Sequence, residues 1–232
     1  MSWPISAPGT TSSRSPRSTR PALRRKDIRH AYFSDSRRQQ RAREVAAEIG
    51  GTTRGLAVTL AQPATIAANI ADIDEVDNPV LTAFAPTPVT LHDFDITAAV
   101  AAITVKLVGY TEVVRCLHSR LSDDAAVVLF GGLAKDRPYP GSTMVTTHNA
   151  GISGLVKTLA VEIAPHRVNA LHPGVVADRP RWRDVPDHPA IGRTPTKRLL
   201  TMADVADTTE FLLRNPGVNG HDLALDAGMI IT

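Results

Sequence analysis

The chain has 232 residues, of which 43% are hydrophobic and 21% charged, and its formal net charge is +3. This composition is ordinary for a soluble globular protein and excludes disorder throughout, while the length suits one domain with a sizeable core. The single cysteine, Cys116, excludes an internal disulfide, a thiolate zinc cluster and an iron–sulfur site.

Membrane insertion and secretion are not expected. No apolar run approaches about 18 residues, and the N-terminus lacks the apolar stretch of a signal peptide. A reducing cytoplasm is therefore the predicted compartment. No metal is predicted, because no second histidine or carboxylate stands at ligand spacing from His172.

The positive charge is concentrated at one end. Residues 1–43 hold 11 Lys/Arg and two Asp, a local charge of +9, so the remaining residues carry −6. Such a basic segment attracts acidic surfaces, but no interleaved aromatic residues or reader motif accompany it, and a nucleic-acid function is not expected.

The N-terminal region separates into an arm and the start of a domain. Residues 1–27 are rich in Ser, Pro and Arg and predict a flexible arm, so residues 28–232 are the predicted domain. Residues 28–33 are a candidate short strand, and residues 36–51 predict an exposed helix closed by two glycines.

Alternation of strands and helices follows along the rest of the chain. The apolar runs and helical periodicities predict strands at 55–60, 79–85, 125–130, 167–171 and 222–226, and helices that begin at Pro63, span 96–120 and 146–163, and begin at the capping residue Thr201. Residues 177–200 form a polar excursion of lid length. This order predicts an α/β, doubly wound, mostly parallel sheet in a single domain, with the first-strand region atypical or missing.

Two segments carry a family resemblance. GLVKTLAVEIAPHRVNALHPGVV (154–176) and the tail NGHDLALDAG (219–228) resemble the short-chain dehydrogenase/reductase family. The resemblance implies a Rossmann-like fold and an NAD(P)-dependent oxidoreductase. It also implies that the backbone of Pro173, Gly174, Val175 and Val176 meets the nicotinamide amide.

The family's catalytic positions are altered. The family uses a tyrosine as general acid or base, a lysine four residues later and a serine upstream. Alignment through the helix places Val145 and Asn149 at the tyrosine and lysine positions, and Gly131 or Gly132 at the serine position. Lys106 stands at the family's helix asparagine. Weak or lost activity is therefore predicted. The alternative is a catalytically silent binding or oligomerisation module.

The cofactor-binding pattern is altered as well. Residues 1–27 hold one glycine and cannot supply the family's three-glycine turn for the pyrophosphate. Asp35 resembles the carboxylate that holds the adenosine ribose of NAD, whereas Arg37 and Arg38 would attract the extra phosphate of NADP. Asp178 stands where a threonine is common, and its charge would disfavour a cofactor phosphate.

Three residues are candidates to replace the missing catalytic groups, namely Tyr139, His148 and Lys106. Tyr139 and its charge partner Lys135 are loop residues before the 146–163 helix. His148 could transfer a proton near neutral pH, and Lys106 could form a charge pair or contact substrate from inside the cleft. Each residue also has a purely structural interpretation. Tyr139 is then a solvated loop residue, His148 a packed or exposed histidine and Lys106 a solvated lysine.

The remaining predictions concern packing and partners. Trp182, with Arg179, Arg181 and Arg183, either binds an anionic or planar ligand or anchors the excursion to the core. His172 is predicted to be hydrogen-bonded packing. The resemblance implies a homo-oligomer formed through helices 96–120 and 146–163, where the small residues at 150, 151 and 154 permit close contact.

Overall fold

The computed structural model describes residues 37–51, 53–84, 90–180, 182–185 and 187–232. The arm at 1–27, its boundary with the domain and the candidate strand at 28–33 lie outside these residues. All structural statements below refer to this described part of the chain.

A parallel four-stranded sheet organises the described residues, in the order β1-β2-β3-β4. The strands are β1 (Val80–Leu81), β2 (Ala126–Phe130), β3 (Arg167–Pro173) and β4 (Asp222–Leu225). In the central pair, Val128 lies opposite Asn169. Because every strand runs in the same direction, their carboxyl ends meet at one edge, and the candidate site lies at that edge.

Helices connect the strands. They are α1 (Arg37–Ile49), α2 (Ile66–Asn69), α3 (Ile96–Ile103), α4 (Gly109–Leu117), α5 (Thr143–Glu162) and α6 (Met202–Arg214). Short 3₁₀ segments span Pro63–Thr65, His118–Arg120, Leu133–Lys135, Ile191–Arg193 and Met229–Ile231. This alternation confirms the predicted α/β class with a parallel sheet in one domain.

The core lies on both faces of β2. Val127 and Leu129 pack into the large cluster that includes Ile152 and Val156 of α5, whereas Val128 packs on the other face against Leu212 of α6. A strand with helices on both faces must be apolar at successive positions. The prediction that 125–130 is a covered central strand is therefore confirmed.

Two predicted strands are corrected. Residues 55–60 form no strand, although Val58 and Leu60 are buried against Ile66 and Ile70. Their apolar character reflects core packing, since no described segment pairs with them in a ladder. Of the predicted strand 79–85, only the two residues of β1 pair with a neighbouring strand, and Val80 lies opposite Val128 of β2. Residues 85–89 are not described.

The predicted helix 96–120 is interrupted by a π-helical segment, Thr104–Val108, between α3 and α4. Its apolar stripe faces the core as predicted, with Tyr110, Val114 and Leu117 buried. The stretch Ile96–Arg120 is long and apolar enough to cross a membrane by length and composition. Core helices of soluble proteins pass the same test, and this stretch packs on the core cluster.

Helix boundaries follow local signals. α1 ends before Gly50 and Gly51, whose φ angles of 75° and 66° lie in the left-handed region that glycine adopts readily. Thr201 caps α6 through a capping box with Asp204. Both predicted ends are confirmed. The helix predicted at 146–163 begins three residues earlier, at Thr143.

Candidate active site

Three of the positions that the alignment assigns to the family's catalytic residues, Gly131, Gly132 and Asn149, lie together at the carboxyl edge of the sheet. Gly131 and Gly132 directly follow β2, and the side chain of Asn149 on α5 reaches the second of them. A Cβ atom on Gly132 would lie 2.9 Å from the Asn149 Nδ2 atom. Asn149 is buried, and Val145, one turn earlier, is half-buried. The expected positions are therefore adjacent, but no hydroxyl or amine occupies them.

His172 fills the space beside the first glycine. A Cβ atom on Gly131 would lie 2.2 Å from both Cε1 and Nδ1 of the His172 ring, closer than real Cβ contacts allow. Gly131 is fixed from the backbone side as well, because its N–H donates to the Leu171 carbonyl at 2.9 Å. A serine side chain at 131 would require the imidazole to move.

Both nitrogens of His172 are engaged. Nδ1 accepts a hydrogen bond from the Gly132 N–H at 3.1 Å, so the proton of the neutral ring is on Nε2, which donates to the Asp222 carboxylate. Burial lowers the pKa of His172, and the charge of Asp222 opposes this only in part. The prediction that His172 is hydrogen-bonded packing is confirmed.

Asp222 connects this histidine to the surface. Its other carboxylate oxygen lies 3.1 Å from the Lys135 Nζ, which is also 2.7 Å from Asp136. Burial would raise the pKa of Asp222, but its neighbours His172 and Lys135 lower it below the ordinary value. Sequence reasoning missed Asp222. The available signal was a charged residue that opens an otherwise apolar strand, together with a histidine in the preceding strand.

Lys106 is buried, contrary to its interpretation as a solvated lysine. It is 2% exposed and lies in the π-helical segment. Its Nζ donates to the Phe130 carbonyl at 2.5 Å and to the Tyr110 hydroxyl at 3.3 Å. Burial lowers the pKa of Lys106 to about 7. The amine therefore lies behind the loop that carries the two glycines.

Tyr110 completes this buried pair. Its hydroxyl donates to the Ala83 carbonyl at 3.1 Å, and burial raises the pKa of the phenol. Lys106 and Tyr110 are four residues apart, in the reverse order of the family's tyrosine and lysine. Because Tyr110 is 0% exposed, the phenol acts as packing and as a hydrogen-bond relay to Ala83.

His148 is the third candidate and is fully buried. Within the described residues neither ring nitrogen has a hydrogen-bond partner. Burial, and secondly the charge of Lys106, lower the pKa of His148 to about 4. The π segment that carries Lys106 packs against α5, which carries His148, and sequence reasoning did not anticipate this packing.

Tyr139 lies apart from them, in an open cleft of about 610 Å³. The side chain is 57% exposed. The cleft runs between two loops and is lined by Thr90, Leu91, His92, Asp93, Pro138, Tyr139, Pro140, Gly141, Ser142, Thr143 and Thr146. Lys135, its predicted charge partner, is bound to Asp136 and Asp222 instead.

The turn after β3, where the resemblance places the nicotinamide contacts, is held by backbone hydrogen bonds. Gly174 donates to the Leu225 carbonyl at 2.8 Å. A parallel bridge joins Val176 to Leu200, formed by bonds of the Val175 carbonyl and the Ala177 N–H. Among the described residues, the N–H and C=O of Val176 itself have no backbone partner. These two groups can recognise an amide.

Asp178 contacts the start of α6. Its carboxylate oxygens accept from the Met202 N–H at 2.8 and 3.1 Å, which satisfies a donor at the helix terminus. In the excursion, the Trp182 ring packs edge-on against His188 with 4.6 Å between centroids. Arg179 and Arg183 are exposed, and Arg181 is not described.

The residues predicted at the adenosine end of a cofactor site are Asp35, Arg37 and Arg38. Asp35 lies outside the described part of the chain, and the side chains of Arg37 and Arg38 are likewise not described. Within the described residues no group of three His, Cys, Asp or Glu could hold a metal ion.

Comparison with known proteins identifies the family. A family model described as Enoyl-(Acyl carrier protein) reductase matches residues 24–230. The chain therefore belongs to the short-chain dehydrogenase/reductase family, as its sequence motifs indicated. Its fold and the Pro-Gly turn after β3 agree with this assignment.

Curated relatives match in part. The chain is 29% identical over 121 residues to the short-chain dehydrogenase/reductase malC of Malbranchea aurantiaca, covering 49% of this chain and 46% of the relative. It is 28% identical over 115 residues to carbonyl reductase family member 4 of Danio rerio, covering 49% and 48%. The chain thus spans about half the length of these curated relatives.

Solved structures agree on the fold. A small-chain dehydrogenase in complex with NADPH has a TM-score of 0.71 at 20% identity, covering 88% of this chain and 100% of that one. The MalC reductase/Diels-Alderase from Malbranchea aurantiaca has a TM-score of 0.75 at 21% identity, covering 87% and 85%. At these identities the similarity shows the fold alone.

Proposed function

We propose that this chain is an oxidoreductase-family protein that binds NAD or NADP at the β3 turn and whose hydride transfer is weak or lost. The observation that carries the proposal is the pair Val145 and Asn149, adjacent on α5 at the positions where the family holds its tyrosine and lysine. The neighbouring Gly131 and Gly132 supply no hydroxyl either.

The nicotinamide end of a cofactor fits the residues present. The unpaired N–H and C=O of Val176 match the acceptor and donor of a carboxamide, and Pro173, Gly174 and Val175 form the turn that holds them. The bound cofactor would supply or accept a hydride. The related small-chain dehydrogenase in complex with NADPH supports the choice of ligand.

Proton transfer is the step that the residues do not support. Reduction of a carbonyl requires a proton for the developing alkoxide, and a positioned donor contributes about 10²- to 10⁴-fold to the rate. Val145 has no proton to give, and Asn149 carries no charge to lower the pKa of a neighbouring donor. His172 cannot replace them, because both of its nitrogens are engaged.

Of the replacement candidates, only Tyr139 is open to a ligand. It borders the 610 Å³ cleft, which is where a small carbonyl substrate would lie in this proposal. Lys106 and His148 are buried: the Lys106 Nζ donates to the Phe130 carbonyl, and neither ring nitrogen of His148 has a hydrogen-bond partner in the described residues. We assign no direct contact with substrate to either.

The experiment is stopped-flow oxidation of NADH and NADPH with a panel of small ketones and aldehydes. We compare the natural chain with the variant Val145→Tyr/Asn149→Lys, and with Val145→Phe/Asn149→Met as the matched control. The restored pair is expected to accelerate turnover by about 10²-fold or more. Natural protein that turns over at about 1 s⁻¹ or faster, or that loses this activity in Tyr139→Phe, would contradict a lost proton donor.

A second function, assembly of identical subunits, has its own observation. Apolar side chains of α3, the π segment and α5 are exposed, namely Ile96, Val100, Val108 and Val161. A groove of about 450 Å³ between these helices is lined by Pro63, Leu107, Val108, Thr111, Glu112, Gly151 and Leu155. An apolar face with few charges is typical of a homo-oligomer interface.

Sedimentation equilibrium tests this second function. Val108→Glu is expected to shift the protein toward monomer, whereas Met202→Glu, at an exposed apolar position on α6, serves as the control and leaves the mass unchanged. A natural chain that is monomeric at every concentration would exclude the interface.

A cytoplasmic compartment remains our proposal, supported by the single cysteine.

A further inference from the structure

The cleft beside Tyr139 lies between two loops and the first turn of α5. The loops approach each other at Thr90 and Gly141, where a Cβ atom on the glycine would lie 3.7 Å from the Thr90 Cγ2 atom. The volume of about 610 Å³ is in the range of sites that hold drug-sized molecules. The charges and donors around this volume determine which carbonyl compounds it can accept.

Within the described part of the chain, no lysine or arginine lines the cleft. The loop before Tyr139 does contain two cations, but both are bound elsewhere. Lys135 pairs with the two carboxylates described above, and the Arg137 Nη1 donates to the Met229 carbonyl. Residues 85–89, which lie outside the described part, contain no Lys or Arg in their sequence. An anionic ligand would therefore meet no lysine or arginine among these residues.

Two hydroxyl groups that line the cleft are committed to the protein itself. The Thr146 hydroxyl donates to the Ala134 carbonyl at 3.0 Å. The Ser142 hydroxyl, 2.9 Å from the Thr146 oxygen, therefore donates to that oxygen and accepts from the Tyr139 N–H at 2.9 Å. Because a hydroxyl has a single proton, neither group has a donor left for a carboxylate or a phosphate.

Asp93 places a negative charge at the cleft. Its carboxylate accepts from the Thr90 hydroxyl at 3.3 Å, and none of the ion pairs among the described residues includes it. The amino end of α5 acts in the opposite sense, since the free N–H groups of a helix terminus are equivalent to about half a positive charge. The full charge of Asp93 exceeds this, so the balance disfavours an anion.

The same cleft exposes apolar surface. Leu91 is 80% exposed and Tyr139 is 57% exposed, and Pro138 and Pro140 flank the tyrosine. Apolar side chains left open to water around a concave site are typical of a surface that a ligand covers. We propose that the cleft selects uncharged carbonyl compounds with an aromatic or aliphatic ring and rejects those that carry a carboxylate or phosphate. This choice of substrate rests on the proposed function, which places the carbonyl substrate here.

Two ligands of nearly equal shape, 4-acetylbenzamide and 4-acetylbenzoate, differ in charge and test this selection. Their binding to the full-length chain is measured by NMR titration, with and without NADPH, at pH 8, where an ordinary imidazole is neutral. The amide is expected to bind about fivefold tighter or more at low ionic strength, and the ratio is expected to shrink in about 0.3 M salt.

Asp93→Lys is expected to reverse this order of affinities. Asp123→Lys is the matched control, because it makes the same change in net charge at an exposed position before β2, at the opposite edge of the sheet, and is expected to keep the order. Leu91→Ser is expected to weaken both ligands alike, since it removes apolar contact without changing the charge.

Equal binding of the two ligands, or tighter binding of the benzoate, would overturn the charge selection and leave the proposed function standing. Binding of neither ligand, with or without NADPH, would remove the cleft as a carbonyl site and overturn both. Selection of the amide by protein that does not bind NADPH would support the charge selection and contradict only the cofactor of the proposed function.

Discussion

The backbone N–H of Gly132 donates to Nδ1 of His172 across 3.1 Å, and this bond joins the loop after β2 to the end of β3. The same imidazole occupies the space that a side chain at 131 would need. The imidazole therefore occupies the side-chain space of Gly131, one of the two glycines that the alignment places at the family's serine position.

Restoring a serine at this position is expected to destabilise the protein. Gly131→Ser places Cβ against the fixed His172 ring, and overpacking of this kind costs about 1–3 kcal/mol. Urea unfolding measures the change. Gly154→Ser is the control, because a Cβ at Gly154 meets nothing within 4 Å. If Gly131→Ser/His172→Ala is no more stable than Gly131→Ser, the ring is not the obstacle.

Lys106 should give stability a distinct dependence on alkaline pH. Its pKa is about 7 in the folded protein and 10.5 as the ordinary value, so between these values the unfolded chain holds a proton that the folded chain has released. The free energy of unfolding therefore rises with pH in this window, by about 1.4 kcal/mol per unit. Below pH 7 the amine is charged in the folded and the unfolded protein, so the folded protein bears the full cost of burying the charge.

Lys106→Met removes the cost of burying the charged amine. The gain of this variant over the natural chain in free energy of unfolding should therefore be largest below pH 7 and absent above pH 10.5. Urea unfolding at several pH values measures the difference. Lys157→Met provides the comparison and is expected to follow the natural chain. A Lys106→Met curve parallel to the natural one would show that the amine is not desolvated.

His148 should make the protein acid-sensitive. Its pKa is about 4 when folded against an ordinary 6.5. Between these values the unfolded chain binds the additional proton, so stability falls as the pH is lowered through this window. In His148→Leu this loss is expected to be absent, as measured by unfolding in citrate buffer. His118→Gln, at an exposed position, is the control. Equal acid loss in His148→Leu would assign the effect to another group, such as His172.

Asp178 is expected to stabilise α6. Its carboxylate accepts the Met202 N–H through both oxygens, and loss of a helix-capping acceptor costs about 1 kcal/mol. Asp178→Ala should lower the free energy of unfolding by this amount, whereas Asp184→Ala, in the exposed excursion, should not. Asp178→Ala with unchanged stability would leave the carboxylate free for another role.

Sequence patterns predicted the elements whose signal is local. The covered strand at 125–130, the cap at Thr201 and the glycine end of α1 depend on neighbouring residues and were confirmed. The strand predicted at 55–60 was wrong, because Val58 and Leu60 pack into the core and no described segment pairs with residues 55–60 in a ladder. Pairing is a long-range property that a short apolar run does not encode.

The candidate site was predicted less completely than the fold. The family alignment identified Val145, Asn149 and the two glycines, and the structure gathers the latter three. Burial of Lys106 and the packing of its segment against α5, which carries His148, could not be predicted, since they depend on the π segment and on packing between distant segments. Asp222 was missed because strand alternation alone does not show which neighbouring side chain a carboxylate meets.

Calorimetric titration of the folded protein with NADH and with NADPH, at low and moderate salt, tests the proposed cofactor binding at the β3 turn most directly. Val176→Pro removes the unpaired N–H, and Val176→Ala is the control that keeps it. The account predicts saturable binding of at least one dinucleotide at both salt concentrations, weakened about tenfold or more in Val176→Pro by loss of a buried hydrogen bond and largely kept in Val176→Ala. Absence of heat with both cofactors, from protein shown to be folded, would contradict it.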